Sequence, residues 1–519
     1  MSFTGARLSF MMTEGRPAQK PKSELRQWRA WLAVFGGALV HLTLGTVYTF
    51  GNMSPYITSY IREHGKQKDI TYGTSVWIYA CAIIGQGSSM YFGGILGRLI
   101  GPRWTTLIGS LLSSGGVALS YFAIVNFYAL CATYGLMFGL GVGLAYVNPL
   151  SCAMRWMPSH RGFANGIVVA GFGAGALIFD QVQTKYINPH NLKVSVHEHG
   201  SCGKKESYFG GKDPKQAELL ERVPHCFLLL GLIYACMQVV GCLLLSNPPE
   251  AEPEAQGYKK VSAEEPIGDV MESSESTSGA LDSAPRYQID LNCGCSRVKL
   301  GPIHRPATSR SFFGEDLSPK RAVPTWLFAI LWLTFLVNGQ AVTYVATLYK
   351  AFGQSVHIGS DHFLANVGTI ASPFNAFARI FWGFIADRYS YRTAMFSMTS
   401  ICTVLLCSFY FTPHLGPAAY AIWVALLFFC LGGNFSLFPF ATATTFGDKF
   451  VGPNYGMIFS SQVISGVLGA SLTSNLICKL GYAGLIPLCA GFQFIGVLLA
   501  LVFPYPSQVA ASQQRTVQQ

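Results

Sequence analysis

Polar residues are scarce along most of this chain, and they fall in joints between long apolar runs. Twelve runs of about twenty residues occur at 30–52, 74–97, 103–124, 127–152, 163–182, 224–246, 325–349, 362–386, 393–412, 417–445, 455–477 and 482–504. Each is long enough, as a helix, to cross a hydrocarbon core of about 30 Å. The pattern predicts an all-α membrane protein with twelve spans: a tail over 1–29, a six-helix bundle over 30–246, a linker over 247–323, a second six-helix bundle over 324–504, and a tail over 505–519. The linker has few large apolar residues to bury, so it is expected to be disordered. An even number of spans returns both termini to one side, leaving 183–223 as the long loop on the other.

The chain also matches itself at one offset. Gly94-Ile-Leu-Gly97-Arg98-Leu-Ile-Gly101-Pro102-Arg103 aligns with Gly383-Phe-Ile-Ala-Asp387-Arg388-Tyr-Ser390-Tyr-Arg392, 289 positions later. Pro149 and Gly166 find their counterparts in Pro439 and Gly456 at 290. Two pseudo-symmetric copies of a six-helix unit are expected, an architecture that transporters use to build a central site between rocking halves.

Composition agrees: half the residues are hydrophobic and only 12% are charged, against about a quarter in soluble domains. The net charge of +11 does not point to nucleic acid, because the basic residues sit in tails and short joints without interleaved aromatics. Lys20, Lys22, Arg26 and Arg29, with the basic residues of both motif copies, instead place the termini and linker in the cytoplasm. The first run is expected to be retained as a span rather than cleaved. The plasma membrane is the default location, with an organelle membrane open. No metal or cofactor is expected, and nothing identifies an accessory protein. No His/Asp or Ser/His cluster at membrane depth suggests an enzyme.

Arg379 is the leading site candidate. It lies eight residues before Asp387, about 12 Å from the end of its span and thus near mid-membrane. A charge there needs a cavity or a partner, and no acidic residue stands at an obvious matching depth. A guanidinium facing a wet cavity suits a carboxylate, which it grips through two parallel hydrogen bonds. The alternative is a structural arginine bonded to backbone carbonyls of a neighbouring helix. Asn375, one turn earlier, and Gln462 are weaker substrate-binding candidates. Tyr48, Tyr146, Phe435 and Phe438 are candidates for an aromatic wall, with plain packing as the alternative. His41 is a candidate proton-exchanging group, with a neutral packing role as its alternative. Asp387, Arg388, Arg392, Arg98 and Arg103 are the expected gating charges. Cys202 and Cys226 are a candidate disulfide of the outer loop.

The paired motif resembles the signature of the major facilitator superfamily. Asn375-Ala-Phe-Ala-Arg379-Ile-Phe-Trp-Gly383-Phe-Ile-Ala-Asp387-Arg388 is similar to the eighth helix of the oxalate/formate antiporter family and of the monocarboxylate porters. Arg161-Gly-Phe-Ala-Asn-Gly166, Gly432-Gly-Asn-Phe-Ser-Leu-Phe-Pro439 and Asn454-Tyr-Gly456-Met-Ile-Phe-Ser-Ser-Gln462 carry the same likeness. The resemblance implies a carboxylate held by Arg379. It also shows departures. Gln462 stands where oxalate carriers have a lysine, and one cation fewer fits a monocarboxylate. Asn375 stands where the monocarboxylate porters have an acid, and Asn52 where they have a lysine. Proton coupling through those groups is left open. The expectation is a carrier of small organic anions of the pyruvate, lactate or formate class, by uniport, antiport or proton symport. An oxalate-type dicarboxylate exchanger and a non-transporting carboxylate sensor are the rivals.

Overall fold

The computed structural model describes residues 21–192, 194, 196–199, 205–210, 213–248, 312–313, 315–356, 358 and 361–505. Most of the expected linker and Cys202 lie outside them, so the Cys202–Cys226 pairing does too.

The first span is broken. Helix α1 (Pro21–Leu44) passes through a 3-10 segment, Gly45–Thr49, into α2 (Phe50–His64). Helices α3 (Tyr72–Leu99) and α4 (Pro102–Ala123) follow. The fourth span joins α5 (Phe127–Leu130), a π-helical segment Cys131–Met137 and α6 (Phe138–Trp156). Helices α7 (Arg161–Ile187) and α8 (Pro214–Leu244) complete the first half. The second half contains α9 (Pro319–Ala322), α10 (Trp326–Ser355), α11 (Asp361–Arg388), α12 (Tyr391–Phe409), α13 (Thr412–Leu415), α14 (Pro417–Phe446) and α15 (Val451–Val502).

The two motif copies make equivalent turns, α3 to α4 and α11 to α12. In the first, Gly101 takes a φ of 90°, open to glycine, and Pro102 starts α4. In the second, Ser390 stands at the matching place and its hydroxyl accepts the Thr393 amide at 3.1 Å, an N-cap bond.

The 52 residues of α15 would reach about 78 Å if straight. Its two ends nevertheless meet. Phe503 packs on Phe312 with ring centroids 6.0 Å apart, and Phe312 donates its amide to Thr444 in the last turn of α14, just before Val451. The run therefore doubles back and supplies two spans. Short structure also appears where loop was expected. Helix α9 and the hydrogen-bonded segment before it fall inside 247–323. Strands β1 (Val196–His199) and β2 (Lys205–Tyr208) pair antiparallel within 183–223. The β2 end is fixed to α2: Phe209 donates its amide to the Ser59 hydroxyl at 3.0 Å and stacks on Tyr56.

Among the described residues, nine helical stretches are long and apolar enough to cross a membrane. Helices α3 and α11 fall outside that set, although each has 28 residues. They pack at the seam between the halves, α3 on α15 and α11 on α7, where polar side chains avoid lipid. Four hydroxyls of α4 are satisfied locally. Thr105, Thr106, Ser114 and Ser120 each donate to the carbonyl four residues back at 2.7–3.0 Å, so none is left unpaired in an apolar setting.

Candidate functional site

Arg379 is fully buried in α11. Its Nη1 donates to the Val169 carbonyl of α7 at 2.9 Å, and its Nη2 to Asn375 Oδ1 at 3.2 Å. Asn375 is held in turn by donating to the Phe428 carbonyl of α14 at 3.0 Å. The Nε has no hydrogen-bond partner, and among the described residues no ion pair includes this guanidinium. One bond to a backbone carbonyl matches the structural-arginine alternative, but it uses only part of a five-donor fork. Gly173 lets α7 approach the free donor closely. A Cβ at that position would lie 3.1 Å from Nε and 3.2 Å from both the Ala376 Cα and Asn375 Oδ1.

Aromatic rings surround the cation. Its guanidinium carbon lies 4.8 Å from the Phe435 ring centroid and 5.6 Å from that of Phe172, within cation–π range. Phe172 meets Tyr48 edge-on at 5.5 Å and Tyr146 at 5.3 Å, and Tyr48 lies within electrostatic range of Arg379. His41 packs against Tyr146 at 4.8 Å and Phe172 at 6.2 Å. Its Nδ1 bonds the Gly37 carbonyl at 3.0 Å, while Nε2 lacks a partner. Tyr146 also approaches Tyr455 and Phe459 of α15, with neither tyrosine hydroxyl in hydrogen-bond geometry. Five sequence candidates thus gather around Arg379: Asn375, Tyr48, Tyr146, Phe435 and His41.

Two others sit further out. Phe438 stacks on Phe335 of α10 at 4.1 Å, and Phe335 meets Phe435. Gln462 donates to the Phe335 carbonyl at 2.6 Å, which ties it to α10 rather than to the guanidinium. Phe172, Tyr455 and Phe459 escaped sequence reading, because aromatic residues in apolar helices carry no mark of the face they present.

At the end of the bundle where the termini lie, the halves are held together. The Asp387 carboxylate accepts the Gly162 amide at 2.9 Å and the Phe163 amide at 2.7 Å, capping α7 from across the seam where unpaired N–H groups and the helix dipole favour a negative charge. Arg161 pairs with Asp448 at 2.6 Å, and Asn165 donates to the Ser436 carbonyl at 2.7 Å. Burial raises the Asp448 carboxyl above its ordinary range, and the Arg161 charge pulls it back. Arg98 lies over the Phe450 ring of the other half at 4.0 Å. The other gating candidates stay within their own half. Arg103 donates to the Leu245 and Leu243 carbonyls at the end of α8, Arg392 lies over Tyr505, and Arg388 is exposed beside Tyr389. Arg161 and Asp448 were missed in the sequence, since they are 287 positions apart.

The sequence profile of the Major Facilitator Superfamily matches residues 25–179 and 222–474. This chain belongs to that superfamily. It is 31% identical to apicoplast pyruvate carrier 1 of Toxoplasma gondii, over 95% of this chain and 92% of that protein. It is 24% identical to the oxalate:formate antiporter of Oxalobacter formigenes, over 80% and 78%. The solved superfamily transporter FucP, in its outward conformation, aligns over 90% of this chain and 99% of its own at 16% identity, with a TM-score of 0.56. The fold is therefore the twelve-span superfamily fold, and the protein is a multi-pass membrane transporter rather than an enzyme.

Proposed function

We propose that this transporter carries small monocarboxylates of the pyruvate, lactate or formate class, with Arg379 as the carboxylate-binding group. The observation that carries this reading is a fully buried guanidinium that has no acidic partner among the described residues and an Nε without a hydrogen-bond partner. A carboxylate that reaches this guanidinium gains charge-assisted bonds and neutralises the cation. Phe435, Phe172, Tyr48 and Tyr146 leave apolar surface for a short carbon chain. One cation suits a monoanion, and Gln462 adds no second charge. The likeness to a pyruvate carrier supports the same class. The likeness to an oxalate:formate antiporter keeps a dicarboxylate exchanger as a second reading.

Transport would follow from rocking of the halves about this site, with the Asp387, Arg161–Asp448 and Asn165–Ser436 contacts breaking when the terminal end opens. We place that end in the cytosol, from the basic residues around it, in either the plasma membrane or an organelle membrane. The test is uptake of labelled pyruvate into proteoliposomes holding the full chain, with lactate, formate and oxalate as competitors. Competition by lactate and formate but not oxalate is expected. Competition by oxalate alone would favour the dicarboxylate exchanger.

A further inference from the structure

Helix α7 approaches α11 along one stripe. A Cβ on Gly162 would meet the Gly383 carbonyl; one on Gly166 would meet the Arg379 carbonyl and Ile380; one on Gly173 would meet Ala376 and Asn375. Seven residues beyond Gly173, on the same face and about 10 Å further from the termini, stands Asp180. This acid is partly exposed, yet its Oδ1 is buried without a hydrogen-bond partner. No ion pair among the described residues includes it.

The surroundings of Asp180 are polar, and no ion pair to it is formed among the described residues. The π-helical segment contributes Tyr134 and α8 contributes Tyr234, both within electrostatic range of Asp180 and of Cys226 in α8. From α2, the Asn52 amide donates to the Asp180 carbonyl at 3.2 Å, Gln183 Oε1 at 3.1 Å and the Thr184 hydroxyl at 3.2 Å. Gln183 donates to Thr49 of the 3-10 segment at 2.9 Å. The two irregular helical segments of this half thus both lie near this stretch of α7, Thr49 through Gln183 and Tyr134 within electrostatic range of Asp180, and such irregularities collect at functional sites. His41, the other titratable group near this path, has its Nδ1 committed to Gly37 and shares its surroundings with the Arg379 charge.

We propose that Asp180 is a proton-binding site, and that closure of the bundle end opposite the termini takes up one proton there. When the halves rock and that end of α7 meets α11, Asp180 enters the seam. An ionised carboxylate with no cation is disfavoured in a dry seam, whereas the neutral acid fits. The proton comes from water at the open end, binds the carboxylate to give the carboxylic acid, and returns to water on reopening. No other bond changes.

This rests on the reading of Arg379 as a carboxylate site, and the experiment separates the two. Uptake of labelled pyruvate, which stays ionised throughout, is measured in proteoliposomes of the full chain at external pH about 8 and about 6 with the interior fixed. The wild type should rise several-fold on acidification, within a limit of about tenfold per pH unit for one proton. Asp180→Asn should give uptake that no longer responds to external pH, with KM unchanged and with pyruvate counterflow retained as evidence of folding. Asp180→Glu should keep a pH response. A flat wild-type profile, or an equal response in Asp180→Asn, overturns the proposal. Should Asp180→Asn show no counterflow, Asp180→Glu decides, and a profile superimposable on wild type overturns the proposal. Wild type that moves no pyruvate at any pH overturns the carboxylate reading, and this proposal with it.

Discussion

Asp387 of α11 accepts the backbone amide of Gly162, at the first turn of α7, at 2.9 Å across the seam. One carboxylate thus closes a helix end belonging to the other half, and no basic side chain takes part in that bond. On the rocking proposed above, this interaction would be lost when the terminal end opens. Asp387→Asn removes the charge and turns an amide donor toward other donors. An anion at a helix N-terminus is worth up to about 2 kcal/mol in partly buried geometry. Turnover is expected to fall several-fold while KM stays within about twofold, because the equilibrium between conformers changes and the site does not. Unchanged turnover with weakened apparent affinity would contradict the assignment.

The Arg161–Asp448 pair should act with that cap. Arg161 is buried and its Nε has no partner, so removing Asp448 leaves an uncompensated charge. Singly substituted Arg161→Ala and Asp448→Ala, and the double variant, should show a coupling of about 1–3 kcal/mol. The readout is the alkylation rate of a reporter Ser436→Cys, which lies at the same seam and whose own backbone carbonyl keeps the Asn165 bond. Additive effects on that rate would remove the pair from the latch.

Steric closure is a separate test. Gly162 and Gly383 abut so closely that a methyl on either meets the other's backbone carbonyl. Backbone cannot yield as a flexible side chain does, so Gly162→Ala and Gly383→Ala should each hold the terminal end open. Normal expression, faster alkylation at the same reporter and net uptake reduced by roughly tenfold or more, corresponding to about 1.4 kcal/mol, are expected.

Arg379→Lys is the sharpest test of the site. An ammonium offers a point charge without the planar fork and has a different reach. Truncating a buried charge-assisted contact costs about 2–5 kcal/mol, so pyruvate uptake should drop below detection at ordinary concentrations. Normal uptake by the well-expressed variant would return Arg379 to a packing role.

The apolar runs made the helices legible, since crossing lipid imposes length and composition together. Arg379 was legible because a charge deep in such a run is costly wherever it stands. The approach of Phe172 to it, and of Tyr455 to Tyr146 beside it, was not, because facing direction depends on packing between helices far apart in sequence. The Asp387 cap was legible only as an acid at a helix end. Its partner is a backbone amide, and amides leave no trace in side-chain identity. Asp180 was overlooked for a related reason: it stands two residues before the end of the apolar run 163–182 and looks like part of a boundary, until α7 is seen to continue to Ile187.

The segment before α10 carries a mechanical consequence. Leu317 donates its amide to the Phe446 carbonyl and accepts from the Asn454 side chain, and Asp316 accepts the Lys449 amide. The chain leaving the linker is thus stitched to both sides of the loop that presents Asp448 before it enters the membrane. Tension or a bulky modification arriving along the linker would be delivered first to Arg161's partner, and only afterwards to a transmembrane helix. The linker is in that sense wired to the lock rather than to the door.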